Sequence, residues 1–104
     1  MELTVVGLVQ EIKESKISIS NILREPYRLQ GTVILQPIEE GILIKRHIEG
    51  KPLQNNEVAT RMHNYRIYIS KYLLDQYGIP YTGKVKLYPL DVGILVRAYT
   101  QEQE

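Results

Sequence analysis

The sequence predicts a mainly β protein with two short helices, built from a β-β-α-β-β unit that occurs twice around a pseudo-two-fold axis. Three observations predict this. First, the chain repeats itself: residues 16–45 and 66–97, aligned with a two-residue insertion at Tyr81-Thr82, share 12 identical residues in 30 pairs. Unrelated segments of ordinary composition match at roughly two. Seven further pairs are conservative, among them Lys16/Arg66, Glu25/Asp75, Glu39/Asp91 and Lys45/Arg97. Second, each copy alternates apolar and polar residues in short runs separated by turn residues. Third, each copy is about half of a 104-residue chain. That is too short to bury a good core alone, so the halves are expected to share one.

The elements follow in order. Leu3 to Ile12 is β-rich, with Gly7 marking a bulge or the true strand start. Its counterpart, Glu57 to Met62, lies at the same 50-residue offset. Lys16–Ser20 and Arg66–Ser70 alternate Ile with polar or aromatic residues and end on Ser, which suits a strand leading into a helix N-cap. Lys71–Tyr77 reads as a helix: Ser70 caps it, Leu73, Leu74 and Tyr77 form a stripe, and Gly78 signals the C-cap. Asn21–Glu25 is the weaker copy. Pro26 disfavours helical geometry at Glu25, so a single turn or a 3₁₀ piece is expected. Two hairpins come next, one in each copy of the repeat. Thr32–Ile38 and Gly41–His47 join at Glu39-Glu40, and Lys84–Leu90 and Gly93–Thr100 join at Asp91-Val92. Leu35 and Leu87 are expected in the core, with Tyr27 and Tyr77 as core anchors at matching positions. One domain spans 1–104, with copies at about 3–48 and 57–100, a linker at 49–56 and a frayed tail at 101–104.

Composition narrows the function classes. Thirteen basic residues face twelve acidic ones, so a simple polycation is excluded. Charge is uneven, with five Lys/Arg and two His against two Glu between Lys45 and Arg66. The chain has no cysteine, which removes disulfides, thiolate metal sites and cysteine nucleophiles. No signal-peptide pattern is seen and no run approaches about 18 apolar residues, so a cytoplasmic protein without a membrane partner is expected. His47 and His63 stand apart, with none of the spacings of a metal site. No phosphate-cradling glycine motif and no nucleophile–base pair occurs, so neither a cofactor nor catalysis is expected.

Arg66-Ile67-Tyr68-Ile69-Ser70, Tyr77-Gly78-Ile79, Gly83-Lys84-Val85 and Gly93-Ile94-Leu95-Val96-Arg97 stand in an order that resembles the AbrB/SpoVT/MazE superfamily of swapped-hairpin proteins. The first copy matches through Lys16–Ser20, Gly31-Thr32-Val33 and Gly41–Lys45, and Gly7–Ile12 looks like the family's first strand. Members with one copy build a barrel from two chains. A chain with two copies implies a single-chain barrel, similar to the archaeal riboflavin-synthase-like barrels of the wider cradle-loop group.

The resemblance implies double-stranded DNA as partner and a role as a small transcription regulator or antitoxin-like protein. Phosphates would be neutralised by basic residues on one face. Carried over by position, the basic residue before the second strand is Lys16 and Arg66. The helix position is Arg24 in one copy and Leu74 in the other, with Glu25 and Asp75 beside them. The first-strand positions are Gln10 and Thr60, then Glu11 and Arg61. The expected phosphate contacts are Lys16, Arg24, Arg61 and Arg66, with Lys13 and His63 secondary. A second expectation belongs to the residues alone. Tyr65, Tyr68, Tyr72, Tyr81, Tyr88 and Tyr99 have no tyrosine counterpart in the first copy. A tyrosine-rich second half suits self-association or a protein partner. A nucleotide-binding barrel is the third alternative.

Overall fold

Alternating Ile, Val and Leu give this chain strands with one buried face, and those faces close on one another. The computed structural model describes residues 6–99. Its strands are β1 (Leu8–Lys13), β2 (Lys16–Ser18), β3 (Thr32–Ile38), β4 (Gly41–Arg46), β5 (Val58–Arg61), β6 (Arg66–Tyr68), β7 (Gly83–Leu90) and β8 (Gly93–Ala98). Helix α1 (Asn21–Tyr27) follows β2, and α2 (Lys71–Gln76) follows β6. The strands form one sheet in the order β5-β3-β4-β8-β7-β1-β2-β6. The two end strands are joined where His63 and Arg66 exchange backbone hydrogen bonds of 3.0 and 2.9 Å. The sheet thus curls into a nearly closed, mainly β barrel.

The pairing interleaves the two halves of the chain. β1 pairs with β7, and β5 pairs with β3. β2 pairs with β6, Ile17 opposite Ile67, and β4 pairs with β8, Leu43 opposite Leu95. Each of these last two pairs joins equivalent positions of the sequence repeat. At β4 and β8 the backbones come very close: a Cβ on Gly41 would collide with the carbonyl oxygen of Val96, and one on Gly93 with that of Ile44.

The barrel is filled by aliphatic side chains from both halves, among them Ile12, Ile17, Val33, Ile67, Val85 and Ile94. Leu35 and Leu87 are 2% and 1% exposed, as expected of core positions. Burying one such side chain contributes about 1.5–3 kcal/mol. Tyr27 and Tyr77 pack against this core as half-buried residues and tie the halves together. The Tyr27 hydroxyl donates to the Leu90 carbonyl, and that of Tyr77 to Ile38, both at 2.6 Å. Burial raises both phenols above their ordinary value, with Asp91 adding to Tyr27.

Both hairpins join at Glu39-Glu40 and Asp91-Val92, as the sequence predicts. The first strand begins at Leu8, directly after Gly7; residues 3–5, Thr100 and the tail 101–104 lie outside the described residues. Helix α2 is capped as expected, the Ser70 hydroxyl accepting from the Leu73 amide at 3.3 Å. Two expectations for the first helix are corrected. α1 is a seven-residue α-helix that runs through Pro26. The proline sits in the last turn, so it leaves only the Ile22 carbonyl without its helical donor, and Ile22 is 83% exposed to water. Arg28 ends the helix in the left-handed region at φ 55° while its N–H donates to Glu25 and that of Leu29 to Arg24. Ser20 stands at the N-cap without a side-chain hydrogen bond.

Candidate nucleic-acid interface

Strand alternation decides which side chains face out. Ile12, Ile17 and Ile67 are fully buried, so Glu11, Lys13, Lys16, Ser18 and Arg66 project outward, and all five are exposed. Lys13, Lys16 and Arg66 converge on one shallow groove of about 430 Å³, walled also by Gln10, Glu11, Glu14 and Ser18. Met62 is buried, which turns Arg61 and His63 outward on the adjoining strand. Five of the six expected contacts thus share one side of the barrel. None of the five enters an ion pair among the described residues, where the pair of Lys45 with Glu57 at 2.7 Å is the one found. Glu57 is held as carboxylate below its ordinary value by the Gln54 amide first and Lys45 second.

Arg24 is placed differently. Its Nε donates to the Ile19 carbonyl at 2.8 Å, and its guanidinium lies 3.9 Å above the Tyr65 ring. It is half-buried and joins α1 to the β5–β6 turn. Arg28, at the end of the same helix, shares a surface depression with Arg24 and Glu25. Sequence reasoning passed over Arg28. Its second-copy counterpart is Gly78, and an arginine where the other copy has its C-cap glycine is the signal that points to it.

The two hairpin turns that flank the groove share one backbone form. Glu14 and Ser15 have φ 51° and 65°, and Asn64 and Tyr65 have 52° and 63°. Positive φ at both central residues is the form that matches strand twist in two-residue hairpins. Each turn also binds the other half of the chain: Ile69 N–H donates to Ser15 and Ile19 N–H to Tyr65. Their surroundings differ. The inserted Tyr81-Thr82 covers the first turn, with Ser15 N–H donating to the Tyr81 carbonyl at 2.8 Å and Glu14 N–H to the Thr82 hydroxyl at 3.1 Å. Tyr81 is pinned in turn, its hydroxyl donating to Asp75 at 2.7 Å and its ring facing Lys71. The bond to Asp75 raises the Tyr81 phenol, and burial adds to it. Ser15 is fully buried, its hydroxyl without a partner. Tyr65, at the equivalent place, is 61% exposed.

The second-half tyrosines divide. Tyr65 and Tyr81 are engaged as described, and Tyr88 lies beside Arg97. Tyr68 and Tyr72 are open, 47% and 74% exposed. They border a largely apolar groove of about 550 Å³ between α2 and β5, with Leu35, Val58 and Leu73. Among the described residues, no group of three or more His, Asp or Glu could hold a metal, and no helix is long and apolar enough to cross a membrane.

No protein-family model matches the chain, and neither a curated protein nor a solved structure does. The functional reading therefore rests on the chemistry of this surface.

Proposed function

We propose that the protein is a double-stranded DNA-binding regulator or antitoxin-like protein that grips phosphates with the outer face of β1, β2, β5 and β6, on a pseudo-two-fold cradle-loop barrel. The observation that carries this reading is the convergence of Lys13, Lys16 and Arg66, unpaired with any carboxylate among the described residues, on one exposed groove. Arg61 and His63 extend it. Cations that are not already neutralised are the ones that release counterions when they meet phosphate. The barrel assignment is supported by the register: equivalent residues Ile17 and Ile67, and Leu43 and Leu95, face each other where the copies meet. A dyad through those pairs sets Lys16 and Arg66 as mates on the binding face.

The test is fluorescence anisotropy of a labelled duplex of about 30 base pairs, at about 50 and 200 mM salt. Binding that weakens steeply with salt, and weakens again in the Lys16→Ala/Arg66→Ala variant, is expected. A parent protein that leaves the duplex free at the lower salt removes the reading.

One observation favours a second reading, a protein-interaction module. The apolar groove beside Tyr68 and Tyr72 has the rigid aromatic rim found at protein interfaces. Sedimentation showing a self-associated protein that Tyr72→Ser returns to monomer is the outcome that selects it.

A further inference from the structure

The proposed DNA face, taken with the two helices bonded to its turns, divides into halves that are not equivalent, and their difference has a pattern. One half comprises the β5–β6 turn and α1, held together by Arg24 on Tyr65 and by the Ile19–Tyr65 backbone bond. Its cations are Arg24, Arg28, Arg61 and Arg66, against the single carboxylate Glu25, a formal +3. The other half comprises the β1–β2 turn and α2, held together by the Ser15–Ile69 bond and the Tyr81 bridge. Its cations are all lysines. Lys13, Lys16 and Lys71 are joined by Lys84, which lies across the strand pair from Glu11. Glu11, Glu14 and Asp75 oppose them, leaving a formal +1.

The exchange is positional. Glu11 stands where the other half has Arg61, Lys16 where it has Arg66, buried Leu74 where it has Arg24, and Gly78 where it has Arg28. The chemistry follows from the residue types. A guanidinium presents a planar fork that meets two phosphate oxygens at once and is weakly hydrated, whereas an ammonium is a strongly hydrated point charge. Carboxylates interleaved with lysines repel the same phosphates the lysines attract. The insertion adds to this: Tyr81 and Thr82 close over the lysine-side turn, while the arginine-side turn stays open.

Resting on the DNA reading above, we infer that the grip is one-sided. The arginine half supplies the larger share of the backbone contacts and the lysine half the smaller, and the preferred ligand is a single asymmetric half-site rather than a palindrome. An internally duplicated chain escapes the constraint that ties a symmetric dimer to a palindromic site, because each copy can change alone.

Two variants remove equal charge from exposed residues on opposite halves: Arg61→Gln/Arg66→Gln and Lys13→Gln/Lys16→Gln. Both are titrated into the same labelled duplex across a salt series, with thermal melts confirming that each is folded. The arginine pair is expected to lose roughly tenfold in affinity at about 100 mM salt, with a log–log salt slope shallower by about 1.8. The lysine pair is expected to lose about threefold, with a slope shallower by less than about 1. Losses that agree within a factor of about two overturn the one-sided grip and leave the DNA reading standing. A larger loss from the lysine pair reverses the assignment. A parent protein that does not bind the duplex at about 50 mM salt removes the DNA reading, and this inference with it.

Discussion

The β1–β2 turn and the β5–β6 turn share a backbone form and differ in what covers it. Both place two non-glycine residues at positive φ, and both receive a backbone hydrogen bond from the opposite half of the chain. One is sealed, its serine wholly buried; the other is open, its tyrosine lying flat under an arginine. The cause is two residues, Tyr81 and Thr82, inserted far along the chain from the turn they cover. Because β1 lies on β7, the second half's loop reaches the first half's turn. A change in one copy is therefore felt in its sister.

The sharpest way to break the comparison is to exchange the helix residues that the two halves do not share. Leu74 is fully buried, and Leu74→Arg places an uncompensated charge there, expected to cost about 3–5 kcal/mol. The reverse change, Arg24→Leu, gives up a cation–π contact and one hydrogen bond at a half-buried site, about 1–2 kcal/mol. Urea unfolding of both variants measures the difference, and equal costs would show that the helices are interchangeable after all.

Where the halves agree, they are expected to respond alike. Leu35→Ala and Leu87→Ala, at equivalent core positions, are each expected to lose about 2–5 kcal/mol by the same denaturation assay. Near-zero shifts in both would contradict a core shared between the halves.

Deleting Tyr81 and Thr82 makes the second loop the length of the first. It removes the two hydrogen bonds that the amides of the sealed turn donate to the insertion, an expected loss of about 2 kcal/mol. It also uncovers Ser15, whose amide is then expected to exchange with deuterium as a surface turn does; an unchanged exchange rate would mean that something other than the insertion buries it.

The smallest expected effect concerns the two tyrosine ties. Tyr27 and Tyr77 have folded-state values raised above the ordinary 10.0. The stability they carry is therefore complete below pH 10 and declines as pH rises through their folded values. Melting temperature is expected to fall above about pH 10, and to fall less steeply in Tyr27→Phe/Tyr77→Phe. Each substitution forfeits about 0.5–1.5 kcal/mol at neutral pH from the lost hydrogen bond. A profile unchanged by the double substitution would remove these phenols as the cause.

Much of the fold was legible because aliphatic alternation and paired turn residues are local signals. Both hairpins, the capped second helix and the leucines of the core follow from them. α1 was less legible. A proline argues against helix at the residue before it, but in a final turn facing water the missing donor costs little, and the closing residue can be an arginine at positive φ. The candidate site was legible as a set of cations and not as an arrangement. That Lys13, Lys16 and Arg66 meet in one groove depends on β2 lying beside β6, a pairing between segments some 50 residues apart. That Arg24 lies against Tyr65 depends on the same register. The burial of Ser15 had no local signal, since serine in a hairpin turn is ordinarily exposed.

The interleaved strand order also bears on how the chain is made. β1 leaves the ribosome well before β7, yet the long edge from Leu8 to Ile12 finds its hydrogen-bonding partner only in β7, at residues 83–87. Contacts so distant in sequence close slowly. β1 must wait, unpaired along that edge, until β7 has been synthesised. Lys84 and Lys86 stand in the stretch of β7 that receives it, a residue type that discourages β7 from pairing with a wrong neighbour before β1 docks.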